Sequence, residues 1–456
     1  MGLAGTLALP GLTPPAAQAQ GVADDHQVRN PHRGRAEDGA HKPKRSQGHA
    51  EAVVEEGPEQ ILLDGPQGGA CQAEGFRHGF DFRLEENDIS RLAGDVTGAA
   101  DLSSVLVRQG LRTVQTIGVA REVELANVDA VVVALKSRTA PVDEAVRDSR
   151  AALRWLRELG AEQIFFKYCS TFDSTPAGNI GPVADMLLDE LGASRAVVCP
   201  AYPANRRTVY RGHLFVGDRL LSESSMANHP LTPMTDSNLV RVLGRQTARP
   251  VVLVPLEIVR RGADAIRERL GEGFAVVDAV EDDDLRTIGA ACKGMPLVTG
   301  GAGLALGLAQ GRGTERATVA DGPAIVLAGS RSQATSEQVD RWRQRHPAVE
   351  IGADLPELPA LVYATGRIDP ARSAEVEAGL AETARRAVDA GARRIVVAGG
   401  ETSGAVVQAL GIRALTVGPE IAPGVPWLVS LGKPPLALAL KSGNFGGPDF
   451  FLEAVG

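Results

Sequence analysis

The stretch Ile395–Gly404, IVVAGGETSG, constrains this chain most. Apolar β-formers end in Gly399-Gly400; Glu401, Thr402 and Ser403 follow, and Ala405–Leu410 takes up a helical pattern that stops at Gly411. A strand that passes through glycine into a helix presents free backbone N–H groups, and the partial positive charge there attracts phosphate. Glycine lets the backbone approach the anion without a Cβ in the way. Two further strands predicted in the same block end in polar glycine turns, Ala328-Gly329-Ser330 and Lys441-Ser442-Gly443 with Asn444–Gly447 behind it. Three such turns on one domain make a nucleotide cradle; one alone would be an ordinary turn. The chain holds no GxxxxGK[ST] phosphate loop, and Gly301–Gly307 departs from GxGxxG by a late third glycine that close helix–sheet packing explains equally well.

The rest of the chain alternates strand and helix. Thr113–Val119, Val128–Leu135, Gln163–Tyr168, Ala196–Cys199, Val251–Pro255, Ala275–Ala279 and Pro296–Thr299 read as strands, and helices at Leu102–Gln109, Pro141–Leu159, Ile180–Leu191, Ala263–Leu270 and Asp283–Cys292 separate most of them. Pro200–Asn238 reads as a long polar loop. Such alternation over short loops predicts mostly parallel sheets covered on both faces. Polar, Gly-bearing Gln310–Asp321 marks a boundary, after which Ala324–Ala328, Ala360–Ala364, Ile395–Ala398, Ala414–Val417 and Leu436–Leu440 read as strands. The expected fold is therefore two α/β domains, 91–312 and 322–456, with an interdomain cleft. Residues 1–90 lack either periodicity and are expected to form a disordered or non-native tail. Its histidines have no acid or cysteine partners at ligand spacing, which favours a solvated segment over a metal site.

In parallel α/β sheets, ligands bind beyond the carboxyl ends of the strands. Asp95, Lys136, Arg138, Lys167 and Asp173 all stand just past predicted strands. Any one of them is as well explained by turn or capping chemistry. Five of mixed charge at successive strand ends favour a site for an anionic, hydroxylated ligand, with Arg or Lys for a carboxylate and Asp for a hydroxyl.

Composition excludes other classes. Net charge is −8, and no basic-aromatic stripe interrupts it, so no nucleic-acid partner is expected. No apolar run reaches the roughly 20 residues of a membrane helix. Cys71, Cys169, Cys199 and Cys292 are scattered without a CxxC, which suits reduced thiols in the cytoplasm.

Taken together, DVTGAAD (95–101), LKSRTAPVDEAV (135–146), FKYCSTFDSTPAGNIGPV (166–183), HPLTPMTDSNL (229–239), PLVTGGAGLALGLA (296–309), AGGETSG (398–404), PGVPW (423–427) and LALKSGNFG (438–446) resemble the four-carbon acid sugar kinase family, from Leu92 to the end. The resemblance implies an N-terminal acid-sugar domain, a C-terminal ATP domain, and transfer of the ATP γ-phosphoryl to the C4 hydroxyl of a four-carbon sugar acid. It implies ATP contacts at Ser330, Gly399, Gly400, Glu401, Thr402 and Gly443, all within the cradle already drawn. On this reading Asp95 and Lys167 are the catalytic candidates. Asp95 orients or deprotonates the hydroxyl. Arg138 and Lys167 hold the substrate carboxylate, Asp173 and Asn205 support it, and Lys441 neutralises phosphate charge. ATP and Mg²⁺ are the expected cofactors, with metal ligands unassigned; the partners are the sugar acid and ATP, and homo-oligomerisation is compatible. A 3-oxo-tetronate is the expected substrate. Threonate or erythronate kinases and an impaired sugar-acid binder stand as alternatives, the last because Gly94 occupies one of the family's paired aspartates and because a helix is expected to be missing between Ser330 and Gly399.

Overall fold

The computed structural model describes residues 89–456, except 94–95, 126, 230, 309–310, 312–316 and 366–369. The expected tail lies outside the described residues, save Ile89 and Ser90, which open the first strand.

The strands are β1 (Ile89–Ala93), β2 (Thr113–Ile117), β3 (Ala130–Ala134), β4 (Gln163–Lys167), β5 (Arg195–Cys199), β6 (Arg207–Tyr210), β7 (His213–Val216), β8 (Arg219–Leu220), β9 (Val251–Val254), β10 (Gly273–Val277), β11 (Leu297–Gly300), β12 (Ala324–Ala328), β13 (Ala348–Glu350), β14 (Ala360–Tyr363), β15 (Arg394–Ala398), β16 (Ala414–Ala422), β17 (Val425–Ser430) and β18 (Ala437–Lys441). The α-helices are α1 (Val96–Arg108), α2 (Val142–Glu158), α3 (Ile180–Leu191), α4 (Leu239–Gly244), α5 (Leu256–Val259), α6 (Ala263–Arg269), α7 (Asp282–Ala291), α8 (Gln333–Arg343), α9 (Pro370–Asp389), α10 (Gly400–Ala409) and α11 (Phe450–Val455).

Fifteen strands form one hydrogen-bonded sheet in the order β13-β14-β12-β15-β18-β17-β16-β2-β3-β1-β4-β11-β5-β10-β9. Each end is a parallel block, as the alternation requires, and antiparallel β16 and β17 join them. β3 (AVVVA) and β12 (AIVLA) are buried throughout, the pattern of strands covered on both faces. α2 shows the complementary pattern. Pro141 precedes it, Asp143 and Glu144 lie in its first turn, and Ala145, Ser149, Ala152, Leu153 and Leu156 form its buried stripe. Burying Leu153 and Leu156 contributes about 1.5–3 kcal/mol each.

One segment departs from the sequence reading, and one buried strand was not read at all. Pro200–Asn238 carries a second sheet, β6-β7-β8, rather than a plain loop. Its first hairpin turns at Arg211-Gly212, both left-handed at φ 51° and 72°. Their N–H groups donate to the Asp278 carboxylate at 2.7 and 2.8 Å. The turn is therefore secured from a distant strand end rather than by a local Asn-Gly signal. β17, a strand for which no expectation was drawn, starts among Pro423, Gly424 and Pro426, and every residue of it is buried. In line with the helix expected to be missing between Ser330 and Gly399, parallel neighbours β13 and β14 are joined by 351–359 without a helix, where a crossover helix is usual.

Candidate active site

The strands β12, β15 and β18 are adjacent and in register at their carboxyl ends, with Ala328 opposite Ala398 and Ala398 opposite Lys441. The three glycine turns therefore lie side by side. Gly399 N–H donates to Lys441 O at 3.0 Å, and Ser330 N–H donates to Ala398 O at 2.8 Å. Gly399 sits at φ 130°, which only glycine adopts without strain. The turns are packed as tightly as glycine allows. A Cβ on Gly443 would lie 2.0 Å from Ser330 Oγ, and one on Gly329 2.0 Å from Thr402 Oγ1. α10 begins here with no side-chain hydrogen bond at its N-cap, Gly399, and a helix N-terminus favours an anion.

The Gly443 carbonyl is held from below. It accepts from Ser332 Oγ (2.6 Å), Thr335 Oγ1 (2.8 Å) and Lys441 Nζ (3.0 Å). Lys441 is fully buried, and burial pulls its pKa down to about 7. Gln338 Nε2 donates to the carbonyls of Phe445, Gly446 and Gly447, securing the rest of the loop. Sequence reasoning missed Ser332, Thr335 and Gln338; a Ser/Thr/Gln face on the helix opposite a glycine loop is the signal that would have found them.

On the other block, the ends of β1, β3 and β4 are in register at Ala93, Ala134 and Lys167. Lys167 is 3% exposed and Asp173 6%. Arg138 Nη1 lies 3.7 Å from Asp173 Oδ2, so the structure brings those two sequence candidates together. Thr171 Oγ1 donates to Asp173 Oδ1 at 2.5 Å, and Cys169 Sγ lies 2.9 Å from Thr171 Oγ1. Burial, followed by the Asp173 charge, raises the Cys169 thiol pKa. Asn179 and Gln246, both missed from sequence, fix the loops that carry these groups. Asn179 Nδ2 donates to Ser137 O and Ala140 O, and Gln246 Nε2 to Ser174 Oγ and Thr175 O. Asp95 lies outside the described residues. Asn205 ends the short turn Pro203–Asn205, its Nδ2 buried without a hydrogen-bond partner, and it does not line the cavity described next.

α10 lies over the carboxyl ends of the second block. A cavity of about 400 Å³ separates them, lined by Lys136, Arg138 and Arg413 on one side and by Gly400, Glu401 and Gly404 on the other. A Cβ on Gly404 would meet nothing within 4 Å, and one on Gly400 only Thr97 Oγ1 at 3.7 Å. The two glycines thus keep the cavity open, and the N-termini of α1 and α10 meet at its edge. Lys136 Nζ stands 3.8 Å from Glu401 Oε2 across the opening. Nearby, Glu420 of β16 accepts from Ser104 Oγ (2.8 Å) and Gly424 N–H (2.7 Å), fastening α1 to the β16–β17 hairpin.

This arrangement can seat phosphates on three glycine turns and an anionic, hydroxylated molecule in a cationic cavity beside them. The known proteins divide the chain the same way. A sugar-binding N-terminal domain matches residues 89–308 and a nucleotide-binding C-terminal domain residues 362–451. These two define a nucleotide-dependent sugar-binding protein. A 3-oxo-tetronate kinase of Cupriavidus necator is 52% identical over 80% of this chain and 95% of its own, and one of Pseudomonas fluorescens 50% identical over 80% and 96%. A solved structure from Salmonella typhimurium LT2, described as a tRNA synthase, has TM-score 0.73 at 41% identity, covering 80% of this chain and 98% of that one. The chain belongs to the four-carbon acid sugar kinase family. Among the described residues no helix is long and apolar enough to cross a membrane.

Proposed function

We propose that the protein transfers the γ-phosphoryl of ATP to the C4 hydroxyl of a 3-oxo-tetronate. The names of its relatives support the substrate, and neither a threonate or erythronate kinase nor an impaired binder is favoured by them. The observation that carries the reading is the meeting of two helix N-termini, α1 at Thr97 and α10 at Gly400, between the glycine turns and the cationic cavity. Phosphoryl transfer asks the protein chiefly for positioning and charge stabilisation.

In this reading Ser330, Gly399, Gly400, Glu401, Thr402 and Gly443 hold the nucleotide. Arg138 binds the sugar-acid carboxylate, steered by Asp173. Asp95 orients the C4 hydroxyl and receives its proton, and Lys167 stabilises charge beside it. The residues present suit Mg²⁺ bound mainly through nucleotide phosphates. Among the described residues no cluster of three metal-ligating side chains exists, and Glu401 places one carboxylate in the first turn of α10. The metal would neutralise phosphate charge. Sugar-acid binding is assigned to 91–312 and nucleotide binding to 322–456, and homo-oligomerisation is compatible with both.

An ADP-coupled assay over a panel of four-carbon sugar acids tests this. Turnover with a 3-oxo-tetronate at least tenfold above that with threonate or erythronate is expected. Equal or greater turnover with the other acids would overturn the substrate assignment.

A further inference from the structure

Lys441 is a long cationic side chain that is fully buried. From α8 it meets the Thr335 hydroxyl (3.1 Å), from its own turn the Gly443 carbonyl (3.0 Å), and from α11 the rings of Phe450 and Phe451, 5.9 and 5.7 Å from Nζ. Its in-sheet neighbour on β15 is Ala398. The acids on the two covering helices, Glu337 and Asp340 on α8 and Glu453 on α11, are exposed, as is Asp449 just before α11. Among the described residues no carboxylate stands within ion-pair distance of Nζ. Both hydrogen-bond partners are neutral, and burial lowers its proton affinity.

A buried ammonium without a partner is unfavourable, and the group neutralises instead. The geometry changes when an anion arrives. The carbonyl that Nζ grips belongs to Gly443, whose Cα packs against Ser330 in the glycine cradle. Nucleotide phosphates seated on those turns bring negative charge to the far side of one peptide, in a low-dielectric setting where opposite charges favour ionisation. We infer that Lys441 is a positioning residue that takes up a proton when nucleotide binds, becoming the internal counter-ion beneath the Gly443 turn. The inference rests on the cradle being the nucleotide site.

Linkage fixes the sign. If binding raises the proton affinity of Lys441, nucleotide affinity is greatest below the free-enzyme pKa. It then falls by up to about tenfold per pH unit until the bound-state value is passed. Titration calorimetry of the full chain with ADP and Mg²⁺ at pH 8, in buffers of different ionisation enthalpy, counts the protons. Uptake approaching one proton per ADP is expected, and its loss in Lys441→Met. ADP binding without uptake, or with uptake unchanged in Lys441→Met, would overturn the inference while leaving the nucleotide site intact. Failure of the parent to bind ADP would overturn both. Should Lys441→Met not fold, the ¹³C-lysine spectrum of the parent decides. A Cε resonance that titrates near neutrality and moves above pH 9 with ADP supports the inference. Titration of every lysine above pH 9 without ADP would contradict it.

Discussion

Gly443 and Ser330, on neighbouring strand ends, approach so closely that a methyl group on the glycine would stand 2.0 Å from the serine hydroxyl. Ser332 Oγ lies 3.0 Å from the same point, so the serine cannot yield without meeting its neighbour. Gly443→Ala therefore forces the turn outward. Overpacking of this kind costs about 1–3 kcal/mol, which predicts a rise of roughly 5–150-fold in the KM for ATP. Steady-state kinetics would show it, with the KM for sugar acid little changed.

The paired glycines of α10's start have different tasks, and their variants should differ. Gly399, at φ 130°, strains under any side chain. Gly400 has ordinary helical geometry and open space before it, so Gly400→Val should fold with an unchanged Tm yet project its branches into the cavity edge. Calorimetry is expected to find ATP binding weakened in Gly400→Val, and Tm lowered in Gly399→Val. Thr402→Ala is milder, losing one hydroxyl contact of about 0.5–1.5 kcal/mol.

Arg138 is predicted to bind the substrate carboxylate. Replacing a charge-assisted hydrogen bond removes about 1.5–3 kcal/mol, so Arg138→Met should raise the sugar-acid KM by roughly 10–150-fold. The ATP KM should be unaffected, because Arg138 belongs to the other block. A parallel rise in both constants would place Arg138 outside the carboxylate site.

Lys441 also gives the nucleotide-free protein a pH signature. Its folded pKa, about 7, lies below the ordinary 10.5. Between those values the unfolded chain binds more protons than the folded one, so this group's contribution to stability rises with pH across that window. The limit is about 1.4 kcal/mol per pH unit. Chemical denaturation from pH 7 to 9 should show this rise in the parent and its absence in Lys441→Met, which should also be the more stable protein at pH 7.

The parts of this fold written locally were legible in the sequence. β3, β12 and β15 are short apolar runs that cannot be anything but buried strands between turns. The glycine turns at Ser330, Gly399–Thr402 and Gly443 announce close backbone approach because glycine alone fits there. What was not legible depends on distant partners. The Arg211-Gly212 turn is secured by Asp278, a residue from another strand end. The continuity of the sheet depends on β16 pairing antiparallel with β2, a contact between segments almost the whole described chain apart. The support under Gly443 comes from α8 side chains that, read alone, look like ordinary N-terminal capping residues. Arg138 and Asp173 were each ambiguous in sequence, and only their approach to 3.7 Å joins them into one anion-binding group.

The central claim, phosphoryl transfer from ATP to C4, is tested most directly by the coupling pattern of the product. With ATP and a 3-oxo-tetronate, proton-coupled ³¹P NMR should reveal a phosphomonoester split by the two protons on C4 into a triplet or doublet of doublets, appearing in step with ADP. A doublet, from the single proton on C2, or ADP and inorganic phosphate without any ester, would contradict it.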